Sequence, residues 1–96
     1  MKIHLKFYGV FKTAARASEL DFDIAVPQTV RSIILQLVSK REFQILRGLL
    51  LKSGTSDPRP NALIMVSGRE INTLRGLETM VTENDEVALL PIAHGG

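Results

Sequence analysis

Apolar and polar positions alternate from the start of the chain. Ile3, Leu5 and Phe7 fall on one side of an extended segment, and Lys2, His4, Lys6 and Tyr8 on the other. That is the period of two expected of a half-buried strand. Gly9 ends the run. Leu20, Phe22 and Ile24 then alternate with Glu19, Asp21 and Asp23 in the same way. Two such segments predict an antiparallel hairpin, although the connection over residues 10–18 is longer than a tight turn. The cationic outer face of the first segment suits the acidic outer face of the second.

The period then changes. Val30, Ile33, Ile34, Leu37 and Val38 recur at i, i+3, i+4, i+7 and i+8, one face of a helix, with Arg31, Ser32 and Gln36 on the other side. Thr29, just before it, is placed to accept an unpaired N–H of the first turn. Residues 42–52 predict a second helical stretch through Phe43, Leu46 and Leu50, with Gly54 as its stop and Gly48 as a weak interior position. Residues 53–61, SGTSDPRPN, are dense in turn formers and predict a solvated connection. Ala62-Leu63-Ile64-Met65-Val66 is continuously apolar, which predicts a strand buried on both faces or nearly so. Ser67 to Glu70 supplies a turn, Ile71 a brief return, and residues 76–81 an irregular stretch or single turn. After the turn at Asn84-Asp85, residues 86–90 form the last strand. Val87 and Leu89 take the core side, and Ala88 and Leu90 the other.

The order is β-β-α-(α)-β-β-β, an α+β layout in which a mixed sheet of about four to five strands carries one main helix on one face. Parallel placement of the last strand beside the first buries both in the middle of the sheet. The opposite face is left uncovered. No repeat, low-complexity segment or internal boundary divides residues 1–96, so they read as a single domain.

Composition narrows the chemistry. The 45% hydrophobic and 23% charged content is ordinary for a globular protein. There is no cysteine, which removes disulfides, thiolate catalysis and sulfur-ligated metal sites and fits a cytoplasmic protein. No apolar run approaches a membrane span, and the N-terminus does not open a signal peptide. The formal charge of +2 comes from scattered basic residues, so the sequence presents no nucleic-acid surface. His4 and His94 are too far apart in sequence to form a metal-ligand spacing and read as solvated.

The last six residues, Pro91-Ile92-Ala93-His94-Gly95-Gly96, stand apart from the periodic segments. Pro91 cannot donate a ladder hydrogen bond and reads as the point where pairing stops. The six could extend roughly 20 Å, at about 3.3–3.6 Å per residue. Two glycines without Cβ can pass through a channel that any side chain would block.

With this order and this ending, the chain resembles the ubiquitin-like β-grasp sulfur carriers of the MoaD/ThiS type, and most closely the small subunit of molybdopterin synthase. The resemblance is carried by Lys6-Phe7-Tyr8-Gly9, Thr29-Val30, the segment from Val66 through Ser67-Gly68-Arg69-Glu70 to Ile71, and residues 84–91 with Gly95-Gly96. Residues 85–91 with the double glycine are its most specific part. The segment 40–61 departs most, being longer than in many members, and His94 stands where a small residue is more usual.

The resemblance implies that an E1-like adenylating enzyme (MoeB-like) activates Gly96 with ATP, and that a sulfur donor then converts it to a thiocarboxylate. Gly95 lets the end reach the partner's active site. A molybdopterin synthase large subunit (MoaE-like) would receive the tail, and Tyr8 and Leu90 occupy the family's exposed apolar docking positions. Ala88, Ile92 and His94 would extend that contact. The carboxylate is anionic at neutral pH and resists nucleophiles, and the chain has no phosphate loop or nucleophile–base pair with which to activate it. The implied role is a carrier without bound cofactor, not a catalyst. Two alternatives remain open: a ubiquitin-like modifier of lysines or carrier for tRNA thiolation, and a non-covalent β-grasp interaction module.

Overall fold

The structure is a computed structural model, and it describes residues 1–52 and 54–92. Strand β1 (Lys2–Phe7) buries Ile3, Leu5 and Phe7 as the alternation predicts. It pairs antiparallel with β2 (Glu19–Asp23), placing Lys2 beside Asp23, His4 beside Asp21 and Lys6 beside Glu19. His4 Nδ1 lies 2.8 Å from Asp21 Oδ1. Exposed pairs of this kind contribute at most about 1 kcal/mol. Their main effect is on register, because a one-residue slip would set each charged side chain against an apolar one and turn Ile3 and Leu5 to the open face.

The connection between these strands holds a helix that the sequence pattern did not reveal. α1 (Gly9–Ala15) starts after extended Tyr8 and ends at Arg16, which takes a left-handed conformation at φ 58. Its buried side chains are Phe11 and Ala15. Two apolar positions four apart are too few to establish a helical period, and a helix of 7 residues is marginal in water without packing. Burial of Phe11 against the core supplies that packing.

α2 (Val30–Val38) matches its prediction. Thr29 Oγ1 accepts from the Ser32 amide at 3.1 Å, and Val30, Ile33, Ile34, Leu37 and Val38 are all buried. Each such side chain contributes about 1.5–3 kcal/mol relative to exposure. The second predicted stretch divides into a 3₁₀ turn (Arg41–Phe43) and α3 (Gln44–Leu50), with Phe43, Leu46 and Leu50 inward. It stops at Leu51, whose backbone is extended, rather than at Gly54. Leaving the helix there lets Leu50 and Leu51 both be buried.

The remaining strands are β3 (Gln28–Thr29), β4 (Ala62–Val66), β5 (Arg69–Glu70), β6 (Met80–Val81) and β7 (Glu86–Pro91). The main sheet has the order β2-β1-β7-β4-β5, with β7 parallel to β1 and antiparallel to β4. β7 is therefore central, as expected from the sequence. β3 and β6 form a separate two-stranded ribbon, unforeseen because two residues carry no period. It ties the start of α2 to the 3₁₀ turn Gly76–Glu78, and Arg31 Nε donates to Glu78 Oε1 at 2.8 Å.

All three helices contribute to one core, against the sheet face that carries Ile3, Leu5, Ile64, Val87 and Leu89. The other sheet face is open, and this corrects the expectation for β4. Ala62, Ile64 and Val66 are buried, but Leu63 is exposed and Met65 only half-buried. A second correction concerns Pro91. It pairs with Ala62 inside β7, and the next amide, Ile92 N–H, donates to Asn61 O at 3.1 Å. Pairing thus continues one residue past the proline, since antiparallel pairing needs a donor only at alternate positions. No helix of the described residues is long and apolar enough to cross a membrane.

Candidate functional site

The root of the C-terminal segment is fixed from three sides. On one, Gly9 takes φ +54, and a Cβ there would meet Pro91 Cγ at 2.8 Å. Only glycine permits both that dihedral and that approach. On the second, Asn61 O receives the Ile92 amide while Asn61 Nδ2 donates to Leu50 O at 3.1 Å, linking the root to the end of α3. On the third, the Tyr8 amide donates to Leu89 O at 3.2 Å. Four residues, 93–96, follow Ile92. At about 3.3–3.6 Å each they can reach no more than ~14 Å beyond it.

The open sheet face beside this root divides into two halves. Over β1 and β2 it is charged: Lys2, His4 and Lys6 stand among Glu19, Asp21 and Asp23. Lys6 Nζ lies 3.5 Å from Glu86 Oε2, and the negative charge of Glu86 raises the Lys6 pKa above its ordinary value. Toward Ile92 the face becomes apolar. Tyr8 is 42% exposed, Ile92 40% and Leu63 37%, with Leu90 and Met65 half-buried. Leu63 stands opposite Leu90, and Met65 opposite Ala88.

The predicted contact residues are thus largely brought together. Tyr8, Leu90 and Ile92 share one apolar surface at the root. Ala88 belongs to the same face but is only 6% exposed. Its neighbours in register are Lys6 and Met65, whose longer side chains flank its methyl group. It forms the floor of the patch. His94, Gly95 and Gly96 lie outside the described residues. Leu63 and Met65 were missed. The signal that identifies them is the period of two within Ala62–Val66, which puts 63 and 65 on the face of Ala88 and Leu90 once β4 and β7 are paired.

The described residues contain no group of three or more His, Asp or Glu side chains placed to hold a metal ion. The His4–Asp21 contact is exposed on the sheet surface. What the arrangement does is hold Pro91 and Ile92 at the rim of an apolar surface.

Residues 5–96 match the ThiS family. The chain belongs to the ThiS family. It is therefore one of the small ubiquitin-like proteins that serve as sulfur carriers or modifiers. Small archaeal modifier protein 3 of Haloferax volcanii is 26% identical over 96 residues, covering all of both chains. The solution structure of small archaeal modifier protein 1 from Methanosarcina acetivorans superposes with a TM-score of 0.81 at 24% identity, over 99% of this chain and 96% of that one. A putative molybdopterin converting factor subunit 1 from Pyrococcus furiosus gives 0.75 at 18% identity, over 97% and 99%. These ThiS-family likenesses agree on a β-grasp fold, with a five-stranded mixed sheet and helices on one face.

Proposed function

We propose that this ThiS-family chain works through its C-terminal carboxylate, as a sulfur carrier in molybdopterin biosynthesis and the small, non-catalytic subunit of a molybdopterin synthase. The observation that supports the reading most is the path of β7. The central strand of the sheet brings Ile92 to the border of an exposed apolar patch.

The chemistry follows from the carboxylate. A separate adenylating enzyme joins the Gly96 carboxylate oxygen to the α-phosphate of ATP, and pyrophosphate leaves. Hydrosulfide, released from a sulfur donor at that enzyme, attacks the acyl carbon of the mixed anhydride. AMP departs with the electron pair of the broken C–O bond, leaving a thiocarboxylate. This chain contributes the docking surface, with Tyr8, Leu63, Leu90 and Ile92 against the partner, and the slender Gly95-Gly96 end. A large synthase subunit then receives the tail and its bound substrate takes the sulfur, while water adds at the acyl carbon as the C–S bond breaks and restores the carboxylate.

The test is intact mass after incubation with the adenylating enzyme, ATP and a sulfur source. The expected result is a gain equal to the oxygen-to-sulfur difference, absent when Gly96 is deleted. A wild-type chain that never gains that mass overturns the reading.

A second outcome of the same activation is supported by the full-length relation to a small archaeal modifier protein. There a lysine amine, rather than sulfur, attacks the activated carbonyl and forms an isopeptide bond. Gly-Gly remnants on lysines of other proteins identify that outcome. Partner binding that survives loss of Gly95 and Gly96, with no activation, identifies a non-covalent module instead.

A further inference from the structure

The exposed apolar surface does not end at the sheet. α1 turns Phe11 and Ala15 inward and Val10 and Thr13 outward, with half-buried Ala14 between the two faces. α3 turns Leu46 and Leu50 inward and leaves Ile45 and Leu49 outside. The two outer faces meet in a groove of about 580 Å³, lined by Val10, Thr13, Ala14, Ile45 and Leu49, with Arg16 and Glu42 as its charged members. Ile45 is 72% exposed and Val10 55%. Single exposed aliphatic residues need no explanation, but three large ones converging on one groove from two helices do.

This groove borders the tail root. Val10 follows Gly9, which abuts Pro91. Leu49 precedes Leu50, whose carbonyl is held by the same Asn61 that receives the Ile92 amide. The residues that fix Pro91 and Ile92 are thus the sequence neighbours of two groove residues, Val10 and Leu49.

We infer that the α1–α3 groove is the second half of the surface on which the adenylating enzyme docks, and that it takes an apolar ridge of that enzyme. Interface size argues for this. A stable complex commonly covers about 800 Å² and 20–30 residues of each partner. The sheet patch offers five side chains, some half-covered, and the groove is the adjoining apolar surface at the root. Its charged members are one Arg and one Glu, which gives no net charge to attract a charged segment, so the occupant is apolar. The inference rests on the C-terminal activation proposed above and adds a surface to it.

The experiment measures ATP-dependent pyrophosphate release against concentration of the full-length chain, using Ile45→Glu and the milder Ile45→Ala. Gln36→Glu, an exposed change on α2, serves as the charge control. Ile45→Glu should raise the half-saturating concentration about tenfold or more, equivalent to about 1.4 kcal/mol. Turnover at saturation and Tm should be unchanged, Ile45→Ala should fall between Ile45→Glu and the wild type, and Gln36→Glu should match the wild type. Half-saturation of Ile45→Glu within about twofold of wild type, or an equal rise in Gln36→Glu, overturns the inference. So does a wild-type dimer, seen by sedimentation, that Ile45→Glu dissociates without changing half-saturation, since the groove then serves a second copy of the chain. Failure of the wild type itself to release pyrophosphate removes the underlying reading. Normal activity in every variant removes the groove alone.

Discussion

Ile92 donates its amide to the carbonyl of Asn61, and the Asn61 side chain in turn donates to Leu50 O. One residue thus ties the root of the C-terminal segment to the end of α3. Asn61→Ala leaves the Leu50 carbonyl without that donor. The expected cost is about 1 kcal/mol in denaturant unfolding. Hydrogen exchange at the Ile92 amide should accelerate more than exchange in β1, because the loss is local to the root.

Gly9 and Gly48 should respond oppositely to the same methyl group. Gly9→Ala meets a φ of +54 and a Cβ contact of 2.8 Å to Pro91. It should destabilise by more than about 1 kcal/mol. Gly48 lies in the interior of α3 with nothing within 4 Å of its built Cβ. Gly48→Ala should stabilise by about 0.5–1 kcal/mol. Chemical denaturation of both variants checks the pair.

Leu63 and Tyr8 are exposed, so their replacement tests contact rather than folding. Leu63→Asp and Tyr8→Ala should each weaken binding of the adenylating enzyme or large synthase subunit about tenfold or more, with Tm little changed. Titration calorimetry against either partner measures this. Unchanged affinity in both variants would remove the sheet patch from the docking surface.

Thr29 caps α2 through a single side-chain bond to the Ser32 amide. Thr29→Ala should cost about 1 kcal/mol, and Thr29→Ser should recover most of it because serine retains the acceptor. Thermal unfolding of the two variants separates the cap from the methyl group that alanine and serine both lack.

The Asp57 carboxyl is held below its ordinary pKa, first by hydrogen bonds from the Arg59 guanidinium, with the Arg59 amide and charge adding to the effect. A depressed pKa in the folded state stabilises it above the unfolded value, about 3.9, and that stabilisation is lost as pH falls through the folded value. Stability should therefore drop below about pH 4, less steeply in Asp57→Asn. The pair is partly exposed, so the difference stays below about 1 kcal/mol. Denaturant midpoints from pH 2 to 7, in steps of about one unit, check the sign.

Periodic elements long enough to repeat were legible from their residues. The alternation Ile3-Leu5-Phe7 and the spacing of Val30, Ile33, Ile34, Leu37 and Val38 each specify both an element and its buried face. α1 was not legible, because Phe11 and Ala15 alone give no repeat, nor were β3 and β6, each two residues long. At the tail root, Tyr8 and Leu90 were placed by strand parity. Leu63 was not, because an unbroken apolar run does not say which of its faces is covered.

The order of side chains by itself determined which face of each longer strand and helix is apolar, since a fixed backbone period turns residue order directly into direction in space. It also determined that the last strand runs into a glycine-ended segment. Only tertiary structure decided what lies over each of those faces. Whether Leu63 is core or surface, how deeply Ala88 is buried, and whether Val10 and Ile45 line one groove depend on neighbours distant in sequence. Local periodicity carries no record of those neighbours until β7 is laid between β1 and β4, and α1 against α3.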